Sequence, residues 1–162
     1  MSIWDKYPNF TDEELRDVVA ITAQVLLESE TVPADLNQDI LKMSPLAISG
    51  QLSPILQKED PSLEKGQVQQ LLEDEETSTQ ISLKLLEEVR KYPEIADRVA
   101  AAYEARSKKM VVAETMLLTG ALVVLAMKLK EIRWSKKEKV IKFDKAGKEV
   151  KSFIVGLLKG IV

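Results

Sequence analysis

Hydrophobic positions along this chain fall into three patterns, and each predicts a different element. In "FTDEELRDVVAITAQVLLESE", Leu15, Val18, Thr22, Val25 and Leu26 share one face at helical spacing. Thr11 with Glu14 three residues on makes a capping box, and Phe10 and Leu15 occupy the staple positions. An amphipathic helix from about Asp12 to Glu30 follows. Pro33, Pro45, Pro54, Pro61 and Pro93 then punctuate the chain, and a proline suits a first helical turn but blocks an interior, so helices are expected near 33–43, 46–57 and 62–74. "STQISLKLLEEVRKY", striped by Ile81, Leu85 and Val89, and "PEIADRVAAAYEARSKK" add two more, about six in all, with Thr77 or Ser78 as the expected cap of the first.

The second pattern is apolar on every face. From Met110 to Met127 the run is 18 residues with Glu114 as its only charge. No proline follows Pro93, so one helix is expected to run from Pro93 to about Met127, roughly 50 Å at 1.5 Å per residue. The third pattern is alternation: in "KEIRWSKKEKVIKFD", Ile132 and Trp134, then Ile141 and Phe143, alternate with polar residues around a lysine-rich turn, which predicts a β-hairpin. "KAGKEVKSFIVGLLKGIV" returns to helical spacing with Val150, Phe153, Leu157, Leu158 and Ile161 on one side. The expected fold is mainly α: a helical bundle with a long apolar central helix, a short C-terminal β-hairpin and a final amphipathic helix. The pair "SPLAISGQ" and "SPILQKED" is spaced too closely for a repeat architecture.

Charge divides the chain. Residues 1–105 hold 9 Lys+Arg against 21 Asp+Glu, a net of −12, while 106–162 hold 14 against 5, a net of +9. The expected organisation is an acidic helical bundle over 1–105 and a basic segment over 106–162, as two units or one continuous domain. Such a split points to nucleic acid, anionic lipid or an acidic partner surface, unless the two halves simply attract each other within one fold.

The apolar run admits three readings: a buried bundle core, a conditional membrane helix, or a permanent span. At about 27 Å it falls just short of the ~30 Å hydrocarbon core. Basic residues flank both ends, and the stronger C-terminal cluster would hold that end in the cytosol and export the acidic front, for which "MSIWDKYPNF" supplies no signal peptide. A permanent span is therefore the weakest reading, and cytoplasmic residence with peripheral or conditional membrane association is expected.

Candidate membrane or partner contacts are Met116, Leu117, Leu118, Leu122, Val123 and Leu125 in the apolar run, and Phe153, Leu157, Leu158 and Ile161 in the last helix. Core packing is the competing role for both groups. Candidate contacts to an anionic surface are Lys128, Lys130, Arg133, Lys136, Lys137, Lys139 and Lys142. Trp134 and Phe143 beside these lysines would suit nucleic-acid stacking, but both are expected to face the bundle, which disfavours that partner.

Catalytic chemistry is poorly provided for. With no cysteine and no histidine, disulfides, thiolate or imidazole metal ligands and the commonest general base are excluded. Neither G-x-S-x-G nor G-x-x-x-x-G-K occurs. The acidic run Glu73–Glu76 lacks the ligand alternation of a calcium loop and reads as a solvated helix boundary, and the pairs Glu13/Asp17 and Glu87/Glu88 fall on faces expected to be wet. No catalytic, cofactor-binding or metal site is expected. Trp4, Tyr7 and Phe10 are expected to tuck against the bundle or to form a short docking motif.

The back third, an apolar helix followed by "KEIRW", "KVIKF" and a cationic helix, resembles small helical proteins of bacterial conflict and immune gene clusters, in which an adaptor-like front joins an effector-like end. The resemblance covers about 55 residues and transfers no functional residue. It implies a non-enzymatic effector or interaction protein whose basic, apolar C-terminal third engages a membrane or a protein partner under control of the acidic front. The alternative is a soluble helical adaptor with the apolar helix as core, and a nucleic-acid module is more distant. A homo-oligomer is compatible with either, and no small-molecule ligand is specified.

Overall fold

The computed structural model describes residues 2–34, 36, 38–106 and 115–160, without the side chains of 38, 39, 65 and 115–117. Seven α-helices and one hairpin are present among the described residues: α1 (Asp12–Leu27), α2 (Pro45–Glu59), α3 (Lys65–Glu73), α4 (Glu75–Arg90), α5 (Pro93–Ala105), α6 (Thr115–Lys128), β1 (Glu131–Ile132), β2 (Ile141–Lys142) and α7 (Asp144–Leu158). The mainly α class, the hairpin and the closing helix agree with the hydrophobic pattern.

Local rules account for most boundaries. The Thr11 hydroxyl accepts from the Glu14 N–H while the Glu14 carboxylate accepts from the Thr11 N–H, satisfying two orphan donors of α1. α1 contains its whole apolar stripe and ends at Leu27, short of the expected Glu30, where Ser29 and Thr31 turn to the hairpin. Asp74, and not Thr77 or Ser78, caps α4: its carboxylate accepts from the Thr77 N–H at 3.0 Å. The expected helix at 33–43 is reduced to a 3₁₀ turn, Gln38–Lys42. Pro54 lies inside α2, where it costs the exposed Gly50 carbonyl its helical donor, and water can replace that bond. The other two proline-bounded helices shift by one to three residues at their ends.

The expected continuous helix from Pro93 to Met127 does not form. Arg106 is extended (φ −65°, ψ 149°) and its guanidinium turns back onto α5 and α1. It donates to the Tyr103 carbonyl, lies 3.5 Å from the Tyr103 ring centroid, and pairs with Asp17 at 3.2 Å. Residues 107–114, including the start of the apolar run and Glu114, lie outside the described residues. Among the described residues no helix is long and apolar enough to cross a membrane.

α6 is the centre of the bundle, packed by α1, α2, α3, α4 and α7. Residues from both sides of the charge boundary share one hydrophobic core. Two glycines permit close approach. A β-carbon on Gly147 of α7 would lie 2.7 Å from the Ala126 carbonyl oxygen, and one on Gly120 would lie 2.7 Å from the Ile48 side chain. A buried hydrogen bond of 2.6 Å joins Ser82 of α4 to Thr119 of α6. Two carboxylates expected on wet faces are buried instead: Asp17 is 9% exposed and met by Arg106, and Glu88 is 2% exposed and met by Lys91 at 2.8 Å. That hydrogen bond holds the Lys91 ammonium above its ordinary range. At the N-terminus the Trp4 indole N–H donates to the Ala96 carbonyl and the Tyr7 hydroxyl to the Leu83 carbonyl, so this segment is tucked onto α4 and α5.

Candidate functional site: the basic hairpin and its surroundings

With α6 buried, the hairpin and the polar face of α7 are what the described part of the C-terminal third presents to solvent. Its two-residue strands pair antiparallel, Glu131 opposite Lys142 and Ile132 opposite Ile141. The period of two sends Ile132 and Ile141 into the core, with Phe143 beside them, and leaves Glu131 and Lys142 on the outer face.

Such short strands do not hold a hairpin alone, and long-range polar contacts supply the rest. The loop after α1 lies along β1: the Glu30 N–H donates to the Arg133 carbonyl at 2.6 Å, the Arg133 N–H to the Ser29 hydroxyl at 3.2 Å, and the Thr31 hydroxyl to the Glu131 carbonyl. The Trp134 indole N–H donates to the Val25 carbonyl at 3.2 Å. Arg98 of α5 lies over the face of that ring, 4.0 Å from its centroid, while pairing with Glu138 at 2.6 Å. At the base, the Phe143 and Asp144 N–H groups both donate to the Lys130 carbonyl, and the rings of Tyr92 and Phe143 lie 5.2 Å apart.

This scaffold separates the candidate cations. Lys136, Lys137 and Lys139 are exposed on the turn and make no ion pair among the described residues. Lys130 is exposed, Lys142 lies 3.5 Å from Glu131, and Arg133 is half-buried with its guanidinium 3.6 Å from the same carboxylate. Lys128 is half-buried and donates to the Gln51 side chain at 2.8 Å. Lys128, Lys130 and Lys142 line one cleft together with Glu131, Asp144, Thr31 and Pro33.

The apolar candidates are placed differently. Leu118, Leu122, Val123 and Leu125 are at most 4% exposed. Phe153, Leu157 and Leu158 are half-buried against the core. Met116 and Leu117 belong to α6 but their side chains, like Ile161, lie outside the described residues. Ser29, Thr31, Gln51 and Arg98 support the site without any signal in the sequence pattern, since each acts through a partner at least 40 residues away. No cluster of carboxylates suited to a metal occurs among the described residues.

The arrangement defines a small helical bundle that displays a braced basic hairpin. No family model, curated protein or solved structure matches the chain.

Proposed function

We propose that the protein is a non-enzymatic interaction protein in which the apolar helix is core and the lysine-rich hairpin docks on an anionic partner surface, foremost that of another protein. The observation that carries this reading is the contrast within the C-terminal third: the described apolar side chains of α6 from Leu118 to Ala126 are covered while Lys136, Lys137 and Lys139 stand exposed and unpaired among the described residues.

Magnitudes favour it over release of α6 into a membrane. Uncovering Leu118, Leu122, Val123, Val124, Leu125 and Leu129, each worth about 1.5–3 kcal/mol of burial, costs on the order of 10 kcal/mol or more before lipid repays it. Surface pairs that join the halves, such as Lys151–Glu59 and Arg98–Glu138, contribute only about 0–1 kcal/mol each, so breaking them does not free the helix. The effector reading, with the acidic bundle as its control, therefore needs a partner that pulls α6 out.

The test compares affinity enrichment by the full-length wild type and by Lys136→Glu/Lys137→Glu/Lys139→Glu, with flotation on anionic vesicles in parallel. A protein captured by wild type and lost with the variant, without flotation, supports the reading. Flotation of the wild type places membrane attachment ahead of it, and capture unchanged by the variant refutes the hairpin as the docking surface.

A further inference from the structure

Beside the hairpin tip, α5 and the hairpin enclose a small pocket that the docking lysines border. Glu94, Arg98, Trp134, Glu138, Lys139 and Ile141 line it, around a volume of about 220 Å³. That is below the roughly 300–1,000 Å³ of small-molecule sites, so the space suits one side chain of a partner better than a free ligand.

Its walls are preformed. Trp134 cannot swing aside without giving up the bond from its indole N–H to the Val25 carbonyl, and Arg98 lies over its ring, 4.0 Å from the centroid. Arg98 is held in turn by Glu138 at 2.6 Å, and Ile141 by its pairing with Ile132 across the hairpin. Walls that are already fixed lose little side-chain freedom on binding.

Charge decides what enters. Arg98 and Lys139 stand against Glu94 and Glu138 around the pocket, two cations and two carboxylates. Their charges cancel, so no ion of either sign is favoured, and the Trp134 ring and Ile141 supply the uncharged part of the lining. The excess of positive charge lies outside it, at Lys136 and Lys137, which are exposed and make no ion pair among the described residues. A neutral pocket beside an uncompensated basic patch has the layout of an interface with an apolar anchor and a polar rim, and Trp and Arg are the residue types at which binding energy concentrates.

We propose that this pocket takes one leucine-sized apolar side chain of the protein partner, from a segment whose flanking carboxylates meet Lys136 and Lys137. The inference rests on the docking role of the hairpin and specifies what docks there: an acidic segment with a single apolar anchor.

The test titrates the full-length, ¹⁵N-labelled protein at low salt with three capped pentapeptides: leucine between two glutamates on either side, alanine in the same frame, and leucine between lysines. The leucine–glutamate peptide should bind saturably, with shifts at the Trp134 indole N–H and at the amides of Arg98, Lys139 and Ile141. The alanine peptide should bind roughly tenfold more weakly, because fewer apolar groups leave water, and the lysine-flanked peptide should not bind. Lys136→Gln/Lys137→Gln should weaken both acidic peptides by the same factor, roughly threefold to tenfold, and keep the preference for leucine. Both lysines are exposed, so this variant is expected to keep the dispersed spectrum of the wild type. Equal affinity for the leucine and alanine peptides, with shifts confined to Lys136–Lys139, would overturn the anchor pocket and leave the docking hairpin standing. Leucine-peptide binding that the lysine variant leaves unchanged would overturn the acidic partner and the docking reading together. No saturable binding of either acidic peptide would overturn the anchor as well, while affinity enrichment with the lysine-to-glutamate variant tests the docking reading separately.

Discussion

Replacing Gly147 by alanine should destabilise the protein, although the same change is favourable in most helices. The new β-carbon would sit 2.7 Å from the Ala126 carbonyl oxygen and 3.3 Å from the Met127 α-carbon, both backbone atoms of α6. Neither can rotate away, so α7 must move off α6 or the helix must bend. Overpacking of this kind costs about 1–3 kcal/mol, and the gain in helix propensity returns roughly 1 kcal/mol of it. The net loss is about 0–2 kcal/mol, a fall in Tm of up to roughly 8 °C for a chain of this size. Gly66 provides the internal control. It lies in α3, is exposed, and a β-carbon there meets nothing within 4 Å. Gly66→Ala should therefore stabilise by about 0.4–1 kcal/mol. Urea unfolding of the full chain, followed by circular dichroism, measures both, and an unchanged denaturant slope in each variant keeps the comparison one of native-state stability. If Gly147→Ala stabilises the protein as much as Gly66→Ala does, α6 and α7 do not cross at this distance and the account of the core fails.

Other outcomes follow from the same structure. Leu122→Ala removes a fully buried side chain from the centre of α6 and should cost about 2.7–5 kcal/mol in the same unfolding assay; a loss below roughly 1 kcal/mol would mean that α6 is not the core. Ser82→Ala and Thr119→Val each strand a buried hydroxyl and should cost about 1–3 kcal/mol, whereas the double variant should lose less than the two together. Additive losses would argue against the bond. Glu14 is held below its ordinary value of 4.5 by its hydrogen bonds, first from Lys6 and then from the Thr11 backbone. A depressed carboxylate contributes stability that is present above the unfolded-state value and lost as pH falls through the folded one, so wild type should lose its advantage over Glu14→Gln below about pH 4.5. Parallel stability curves for the two proteins through that range would refute the pairing.

Much of the fold is written locally. The capping box and stripe of α1, the stripe of α4, the period-two alternation around the hairpin and the amphipathic face of α7 are properties of neighbouring residues, and each appears where the pattern put it. The exposed lysines of the turn were legible for the same reason. The fate of the apolar run was not. A segment apolar on every face has no direction to bury, so bilayer and protein interior are equivalent until other helices are placed around it, as α1, α2, α3, α4 and α7 are.

Contacts across long loops were equally invisible. The helix from Pro93 ends at Arg106, whose guanidinium meets Asp17, nearly ninety residues earlier. The brace of Ser29, Glu30 and Thr31 on the hairpin spans one hundred residues or more. The sequence by itself determined most of the helices and the hairpin, through periodicity and capping that act within a few residues. Only the tertiary structure decided which apolar surfaces are covered and which charges are brought together, because those energies depend on neighbours that chain closure alone supplies.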